Sequence, residues 1–288
     1  MSIRPSTAPS AYERVLRRRQ GWLAIDWRRM IQYRDLLFLL VRRDFVARYQ
    51  QTILGPIWFI LQPLVTTAAF TLIFSRGLGT STDGIAPAFL FYQCGMLIWS
   101  FFSTILGGAG NTFQANAAVF TKVYFPRLIV PLAIVIGSLL PFFLQLAVFL
   151  AFYLPALSGA TWHAHGAALA LLPLVVVQCA LFALGLSLFV SGLSAKYRDL
   201  QHALPFMIQL GLFVTPVIYP LSQLGGAARA IAALNPLSAP VEIFRLGFFG
   251  TGTVTGALVG VSLAGTAVVL LAGLFMFQRA ERTFADSV

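Results

Sequence analysis

The sequence predicts an all-α integral membrane protein with six transmembrane helices, an amphipathic helix before the first span and a re-entrant external helix pair between spans 5 and 6. Composition is the first reason: 58% of the 288 residues are hydrophobic and only 10% are charged. About a quarter of a soluble domain is charged, and a globule of this size cannot enclose so much apolar surface. The solvent around the chain must therefore be lipid.

Six apolar stretches are the second reason. A bilayer core about 30 Å thick needs about 20 residues per helix. The stretches are residues 57–74, 88–109, 128–154, 167–192, 203–219 and 254–277. The fifth is the shortest, and Pro205 and Pro216 stand near its ends. An even number of spans puts both termini on one side of the membrane.

The basic residues indicate which side that is. Of the 20 Lys and Arg residues, 17 fall on the side of the termini, and 11 of these precede residue 56. The other three are Arg76, Arg229 and Arg245. Cytoplasmic segments carry the excess of Lys and Arg, so both termini are predicted to be cytoplasmic. The net charge of +11 therefore indicates contact with anionic lipid and not with nucleic acid.

These features divide the chain into four regions: a basic cytoplasmic segment (1–30), an amphipathic interface helix (31–56), a six-span membrane domain (57–277) and a cytoplasmic tail (278–288). No helix breaker occurs between residues 35 and 51, and apolar side chains recur on one face at Phe38, Val41, Phe45 and Tyr49. Such a helix lies in the membrane interface. A cytoplasmic helix packed on a partner is the alternative.

The loop between spans 5 and 6, residues 220–252, is apolar for an external loop. Its two apolar pieces, 227–234 and 241–249, are each too short to cross the membrane, and Asn235-Pro236 between them turns the chain. Backbone that enters the membrane without crossing it is tolerated where protein shields it. We therefore predict a re-entrant helix pair, with a loop lying flat on the surface as the alternative.

Several kinds of chemistry are not expected. None of the 29 charged side chains falls within the six predicted spans, whereas ion-coupled transporters need ionisable groups there. The glycine-rich run at 107–112 lacks the Lys-Ser/Thr of a phosphate-binding loop. His163 and His165 lie in a short external loop without a further ligand nearby, so no metal site is predicted.

Polar uncharged and aromatic side chains share faces of spans 1, 2 and 5. They are Gln62 and Thr66, then Tyr92, Trp99 and Ser103, then Phe206, Gln209 and Phe213. Aromatic faces with amide and hydroxyl groups suit an amphipathic, sugar-containing cargo, so these residues are candidates for lining a channel. Helix–helix packing and interfacial aromatic belts are the alternative.

Four motifs occur in order along the chain: RDFVARYQQTILGPIW at 43–58 with Gln62-Pro63, NAAVFTKVYFPR at 116–127 with Pro131, KYRD at 196–199, and Asn235-Pro236. Together they resemble the ABC-2 permeases that export polysaccharides, including the O-antigen (Wzm-type), teichoic acid (TagG-type) and capsule exporters. The resemblance runs from about residue 36 to residue 277. Each motif alone is loose, but their order and spacing are specific.

The resemblance implies a homodimer that forms a pore in the bacterial inner membrane and exports a lipid-linked polysaccharide. Two separate ATPase subunits would dock on the cytoplasmic side and bind ATP and Mg, so no cofactor is expected in this chain. The residues implied in docking are Arg42, Arg43, Arg48, Asn116, Lys122, Phe125 and Arg127. Asn235 and Pro236 would belong to an external gate.

Two other functions remain open at this point. One is an ABC-2 exporter of drugs or small lipids, for which a closed lateral pocket would be typical. The other is a membrane enzyme that modifies glycans, which would need acids and bases at the external face. The residues available there are Arg76, Asp83, His163, His165, Arg229, Glu242 and Arg245.

Overall fold

The computed structural model describes residues 27–49, 52–116, 120, 125–197 and 199–286. Within these ranges the chain forms helices, turns and loops without any strand, which confirms the predicted all-α class. Residues 1–26, most of the predicted basic N-terminal segment, lie outside the described part of the chain.

Twelve α-helices follow one another in the described residues. They are α1 (Trp27–Gln32), α2 (Arg34–Tyr49), α3 (Trp58–Phe70), α4 (Ala88–Ala109), α5 (Thr112–Ala115), α6 (Ile129–Ala156), α7 (Gly166–Ala170), α8 (Leu172–Ser194), α9 (Leu200–Val214), α10 (Gly226–Leu234), α11 (Ser238–Phe249) and α12 (Gly256–Asp286). A 3₁₀ turn (Gly55–Ile57) precedes α3 and a π-helix (Thr71–Gly77) continues it.

Five helical stretches of the described chain are long and apolar enough to cross a membrane. They are Gly55–Gly77, Ala88–Ala109, Ile129–Gly159, Leu172–Ser194 and Gly256–Arg282. They coincide with predicted spans 1, 2, 3, 4 and 6, although a turn at Leu171 separates α7 from the fourth. Pro173 near the start of α8 is compatible with a helix beginning there.

The fifth predicted span differs most from its expected bounds. Helix α9 has 15 residues and extends about 22 Å, short of a bilayer core. It ends because Thr215 is extended (φ −88°, ψ 139°), the conformation favoured for a residue that precedes proline, here Pro216. Residues 215–220 are therefore not helical, although the sequence predicted a span as far as 219.

Helix α2 packs along the N-terminal half of α6. Leu40 is buried in an apolar cluster with residues of the first cytoplasmic loop, α6, α8 and α12, whereas Phe38 is 63% exposed. Val41 and Phe45 are partly buried, and the side chain of Tyr49 lies outside the described residues. The helix thus exposes Phe38 and packs with Leu40, which was not part of the predicted stripe.

Helices α8 and α12 form the most extensive helix pair of the structure, and glycines allow their close approach. A Cβ atom on Gly185 would lie 2.6 Å from the Cα atom of Leu270, and one on Gly192 would lie 2.8 Å from the carbonyl of Met276. A Cβ atom on Gly273 would overlap the carbonyl oxygen of Gly185. Small residues at such crossings are typical of helices packed in lipid.

We expect Gly185→Ala to lower the stability of the membrane domain, because the added methyl group would push α12 away from α8. Overpacking of this kind costs about 1–3 kcal/mol. Gly260→Ala is the matched control, since no atom lies within 4 Å of its Cβ position. Thermal unfolding of the detergent-purified chain measures both. Equal melting temperatures for the two variants would contradict the crossing described here.

Candidate functional site

Helices α10 and α11 form a hairpin, predicted to be external, that turns at Asn235 and Pro236. The Oδ1 atom of Asn235 accepts a hydrogen bond from the N–H group of Leu237 (3.0 Å), and its amide donates to Oγ1 of Thr215 (2.9 Å). The turn therefore lies at the predicted Asn-Pro step. The side chain of Asn235 also connects the tip of the hairpin to Thr215, the residue that follows α9.

The tip of this hairpin lies beside α12 and α8, several residues from the N-terminal end of each helix. The Ser262 hydroxyl donates to the carbonyl oxygen of Pro236 and accepts from the amide of Gln178 (2.5 Å). A Cβ atom on Gly265 would lie 2.9 Å from Cγ of Pro236. Ser262 and Gly265 follow the first residue of α12 by six and nine positions, which places the tip about 9–14 Å along that helix.

A buried ion pair lies on α11. Arg245 and Glu242 have side-chain exposures of 2% and 1%, and Nη1 of the arginine is 3.2 Å from Oε1 of the glutamate. The guanidinium also donates from Nη2 to the carbonyl oxygen of Val217 (2.9 Å). Its central carbon lies 3.8 Å from the ring centroid of Phe91 on α4. Arg245 thus binds a carbonyl that the non-helical segment leaves without a helix partner, and it packs on α4.

Glu242 provides the other half of this arrangement. Its Oε2 atom accepts from the N–H group of Thr253 (2.7 Å), and Oε1 accepts from that of Leu221 (3.4 Å). Buried charges are tolerated when they are paired and hydrogen-bonded. The pair therefore holds together the hairpin, residues 217–221 after α9, and the connection into α12.

This pairing settles the placement of two residues considered for an external enzyme site. Glu242 and Arg245 are buried and bonded to protein, so neither faces a substrate. Asp83 accepts hydrogen bonds from the Ser222 hydroxyl through both carboxylate oxygens (2.8 Å each). The i, i+3 spacing of the Glu–Arg pair on a helix was a signal that sequence reasoning missed.

An aromatic cluster joins the external end of α6 to α11. Phe149 and Tyr153 lie one helical turn apart and contact Phe248, with ring centroids 4.9 and 5.1 Å apart. The Tyr153 hydroxyl donates to the carbonyl of Phe248 (2.7 Å), and Trp162 stacks on Tyr153 (5.2 Å). The hairpin is therefore fixed to α6 as well as to α4, α8 and α12.

The candidate channel residues fall into two groups. Gln62, Phe206, Gln209 and Phe213 are exposed on α3 and α9 of the protomer. Thr66 is partly exposed on α3, and its hydroxyl donates to the carbonyl oxygen of Gln62 (2.9 Å). These five residues lie on helices whose outer faces have no partner within the described chain.

The three candidates on α4 are placed differently. Tyr92 is fully buried and packs against Phe91 and Phe74, and Trp99 is 6% exposed and lies over Gly211. Ser103 is half-buried, and its hydroxyl donates to its own helix. Tyr92 and Trp99 therefore belong to the protomer core.

The proposed docking residues also differ in placement. Arg42 is exposed, whereas Phe125 is buried in the cytoplasmic apolar cluster. The amide of Asn116 donates to the carbonyl of Thr112 in its own turn (3.1 Å). Lys122 and the side chain of Arg48 lie outside the described residues.

Two arginines of this set have partners inside the chain. Nη2 of Arg43 is 2.7 Å from Oδ1 of Asp44. Arg127 donates from Nη1 to the carbonyl oxygen of Glu281 in the last turns of α12 (3.1 Å), a favourable place for a cation. Arg127 thereby connects the first cytoplasmic loop to the end of α12.

Neither histidine of the external loop belongs to a metal site in the described chain, where no three His, Cys, Asp or Glu side chains form a cluster suited to an ion. Nδ1 of His165 accepts from the N–H group of Ala168 (3.4 Å) at the start of α7. The N–H group of His165 donates to the carbonyl of Gly247 on α11 (2.9 Å). His165 thus helps to dock the loop on the hairpin.

We expect Arg245→Met to destabilise the chain, because it leaves the buried Glu242 carboxylate without its counter-charge. Removing one partner of a buried pair costs about 3–5 kcal/mol. Adding Glu242→Gln removes the second charge and should recover part of the loss. Melting temperatures of the purified chain test this, with Asp83→Asn, a change at a partly buried carboxylate outside the ion pair, as control. If Arg245→Met melted like Asp83→Asn, the pair would not hold the hairpin.

Comparison with known proteins relates the chain to a family of membrane transporters. Residues 35–249 match the family model described as "ABC-2 type transporter". The chain is 32% identical over 264 residues to an O-antigen export system permease protein of Myxococcus xanthus, covering 91% of this chain and 98% of that protein. It is 25% identical to the protein of the same name from Klebsiella pneumoniae, covering 88% and 94%.

A further relative is named for a different cargo. The polysialic acid transport protein of Escherichia coli is 25% identical over 261 residues, covering 88% of this chain and 95% of that protein. The family match extends from α2 to the end of α11 and so includes α2 and the hairpin of α10 and α11. The chain is a multi-pass membrane protein and belongs to the ABC-2 type transporter family.

Proposed function

We propose that this chain is the transmembrane subunit of an ABC exporter that moves a lipid-linked polysaccharide, O-antigen or a similar glycan, across the bacterial inner membrane. The observation that carries the proposal is the likeness to O-antigen export permeases over nearly their whole length. The polysialic acid transport relative also favours a glycan cargo over a drug or a small lipid.

The proposed topology has six spans with both termini in the cytoplasm. Helix α9 serves as the fifth span, and the non-helical residues 215–220 continue it toward the external side. The hairpin of α10 and α11 re-enters the membrane from outside, which the position of its tip beside Ser262 and Gly265 supports. Asn235 and Pro236 then lie at the inner end of an external gate.

The proposed pore forms between two copies of the chain. Gln62 on α3 and Gln209 on α9 are exposed amides on helices that are otherwise apolar. An amide without a hydrogen-bond partner is costly in lipid, so these faces need a partner copy or a polar path. Phe206 and Phe213 flank Gln209 and offer aromatic surface to sugar rings.

The proposed energy source is a pair of separate ATPase subunits that bind ATP and Mg. Arg42 on α2 and the first cytoplasmic loop form the surface to which they would dock. The cytoplasmic apolar cluster connects α2 and this loop to α6, α8 and α12, so movement of the docking surface would be transmitted to the spans. A partner shifts such an equilibrium only by binding one state more tightly.

The cargo is tested by deleting the gene and measuring the glycan in two places. We expect surface polysaccharide to disappear and lipid-linked polysaccharide to accumulate in the inner leaflet, with both restored by the wild-type chain. Unchanged surface polysaccharide would contradict the proposed cargo.

Docking is tested by reversing one exposed charge. Arg42→Glu should lower co-purification of the ATPase severalfold, since a like-charge or unpaired contact replaces a favourable one. Arg76→Glu, an equal charge change on the predicted external side, is the control and should leave co-purification unchanged. Equal effects of both variants would exclude α2 as the docking surface.

The pore is tested by shortening exposed aromatic side chains. We expect Phe206→Ala and Phe213→Ala to slow glycan export severalfold, because aromatic surface for the sugar rings of the cargo is lost while the protomer core is untouched. Val268→Ala, which shortens a side chain 66% exposed on α12, is the control. Export measured by surface glycan at equal protein level should fall only in the α9 variants; a fall in all three would argue against a pore at α9.

A further inference from the structure

A cavity of about 340 Å³ lies under the interface helix α2, which is the size of a small-molecule site. It is bounded by α2, the start of α3, the cytoplasmic end of α4, residues 115–116 and the first turns of α6. All these segments belong to the cytoplasmic side of the proposed topology. The cavity is thus at the level of the inner-leaflet headgroups, beneath a helix typical of the interface.

The walls of this cavity have two chemical characters. One part is apolar and includes Val41, Phe59 and Ile134. The other part carries one cation and one anion, Arg43 and Asp44. The cavity therefore combines surface for hydrocarbon with charges of both signs, whereas a pocket for a purely anionic group would exclude the carboxylate.

The charged pair is available to a ligand. Nε and Nη2 of Arg43 both approach the same carboxylate oxygen of Asp44, at 2.8 and 2.7 Å, and the two side chains are 46% and 38% exposed. Ion pairs with this exposure contribute little stability, so a ligand can open the pair cheaply. An arginine released in this way binds phosphate strongly through two parallel hydrogen bonds.

We propose that this cavity binds the headgroup of a zwitterionic phospholipid of the phosphatidylethanolamine class. Its phosphate binds the Arg43 guanidinium, its ammonium binds the Asp44 carboxylate, and the upper part of an acyl chain lies on Val41, Phe59 and Ile134. The bound lipid occupies the space between α2 and the spans. This role for Arg43 leaves Arg42, its exposed neighbour, for docking.

Lipid binding to the full-length, delipidated chain tests the proposal. Native mass spectrometry would compare phosphatidylethanolamine, phosphatidylglycerol and a polyprenyl phosphate. We expect the zwitterionic lipid to bind roughly tenfold more tightly than either anionic lipid, the scale of one added charge-assisted contact. Tighter binding of phosphatidylglycerol would overturn the proposal. So would tighter binding of polyprenyl phosphate, which would instead assign the cavity to a cargo lipid.

Single substitutions distinguish the roles of Arg43 and Asp44 in lipid binding. Asp44→Asn should reverse the preference in favour of phosphatidylglycerol, because the repulsion of the anion is lost while Arg43 remains. Arg43→Gln should weaken the binding of all three lipids. A reversal of preference cannot arise from general destabilisation, so it distinguishes a binding role from a structural one. An unchanged preference in Asp44→Asn would overturn the assignment.

The chain offers a matched control on the same helix. Arg34 and Asp35 form an adjacent, exposed pair (3.7 Å) that does not line the cavity. Arg34→Gln and Asp35→Asn make the same charge changes and should leave lipid preference unaltered. Ala47→Phe fills the cavity from an exposed position without changing charge and should reduce binding of every lipid. If the Arg34 and Asp35 variants also lost the preference for the zwitterionic lipid, that preference would arise from surface charge in general. This result would contradict a binding site in the cavity.

Discussion

Polar groups of this chain that leave water must find their partners inside the protein, because lipid offers none. Most of the backbone meets this constraint by forming helices. The segment between α9 and α10 is not α-helical, and side chains provide hydrogen-bond partners there. Arg245 binds the carbonyl of Val217, and Glu242 binds the N–H group of Leu221. Asn235 binds the Thr215 hydroxyl. The external hairpin is thus held by the groups that make a non-helical segment possible beside the membrane.

The same constraint gives the buried ion pair a structural role. Both oxygens of Glu242 accept hydrogen bonds from backbone N–H groups, and one also binds Arg245. Phe91, under the guanidinium, lies in the first turn of α4, which the proposed topology places on the external side. The pair is a fixed joint between segments, and the proposed mechanism takes its energy from ATPase subunits that act on the opposite side of the membrane.

Sequence reasoning worked where a local rule determines the outcome. The second predicted span, 88–109, has the bounds of α4, because Pro87 precedes an apolar run that ends in glycines. The Asn-Pro turn of the hairpin was readable for the same reason. Thr215, the residue before Pro216, carries an equally local signal. Its extended conformation ends α9 at residue 214, before the predicted end of the fifth span at residue 219.

The sequence did not predict the features that depend on contacts between residues far apart in the chain. Helical spacing showed that Tyr92 and Trp99 share a face, but it could not show that this face packs on the π-helix after α3 and on α9. The contact of Gly185 with Gly273 joins positions on different spans. The Glu242–Arg245 pair has a local spacing, yet its burial depends on α4 and on residues 217–221. These features required the three-dimensional arrangement.

Reconstitution into vesicles with separate energy sources tests whether an ATPase powers transport by this chain. The purified chain would be placed, with or without its ATPase, in vesicles that carry a lipid-linked glycan in one leaflet. Transfer of the glycan across the membrane would be measured with ATP or with a proton or sodium gradient. The account predicts crossing only with the ATPase and ATP together. Crossing driven by an ion gradient in the chain alone would contradict it.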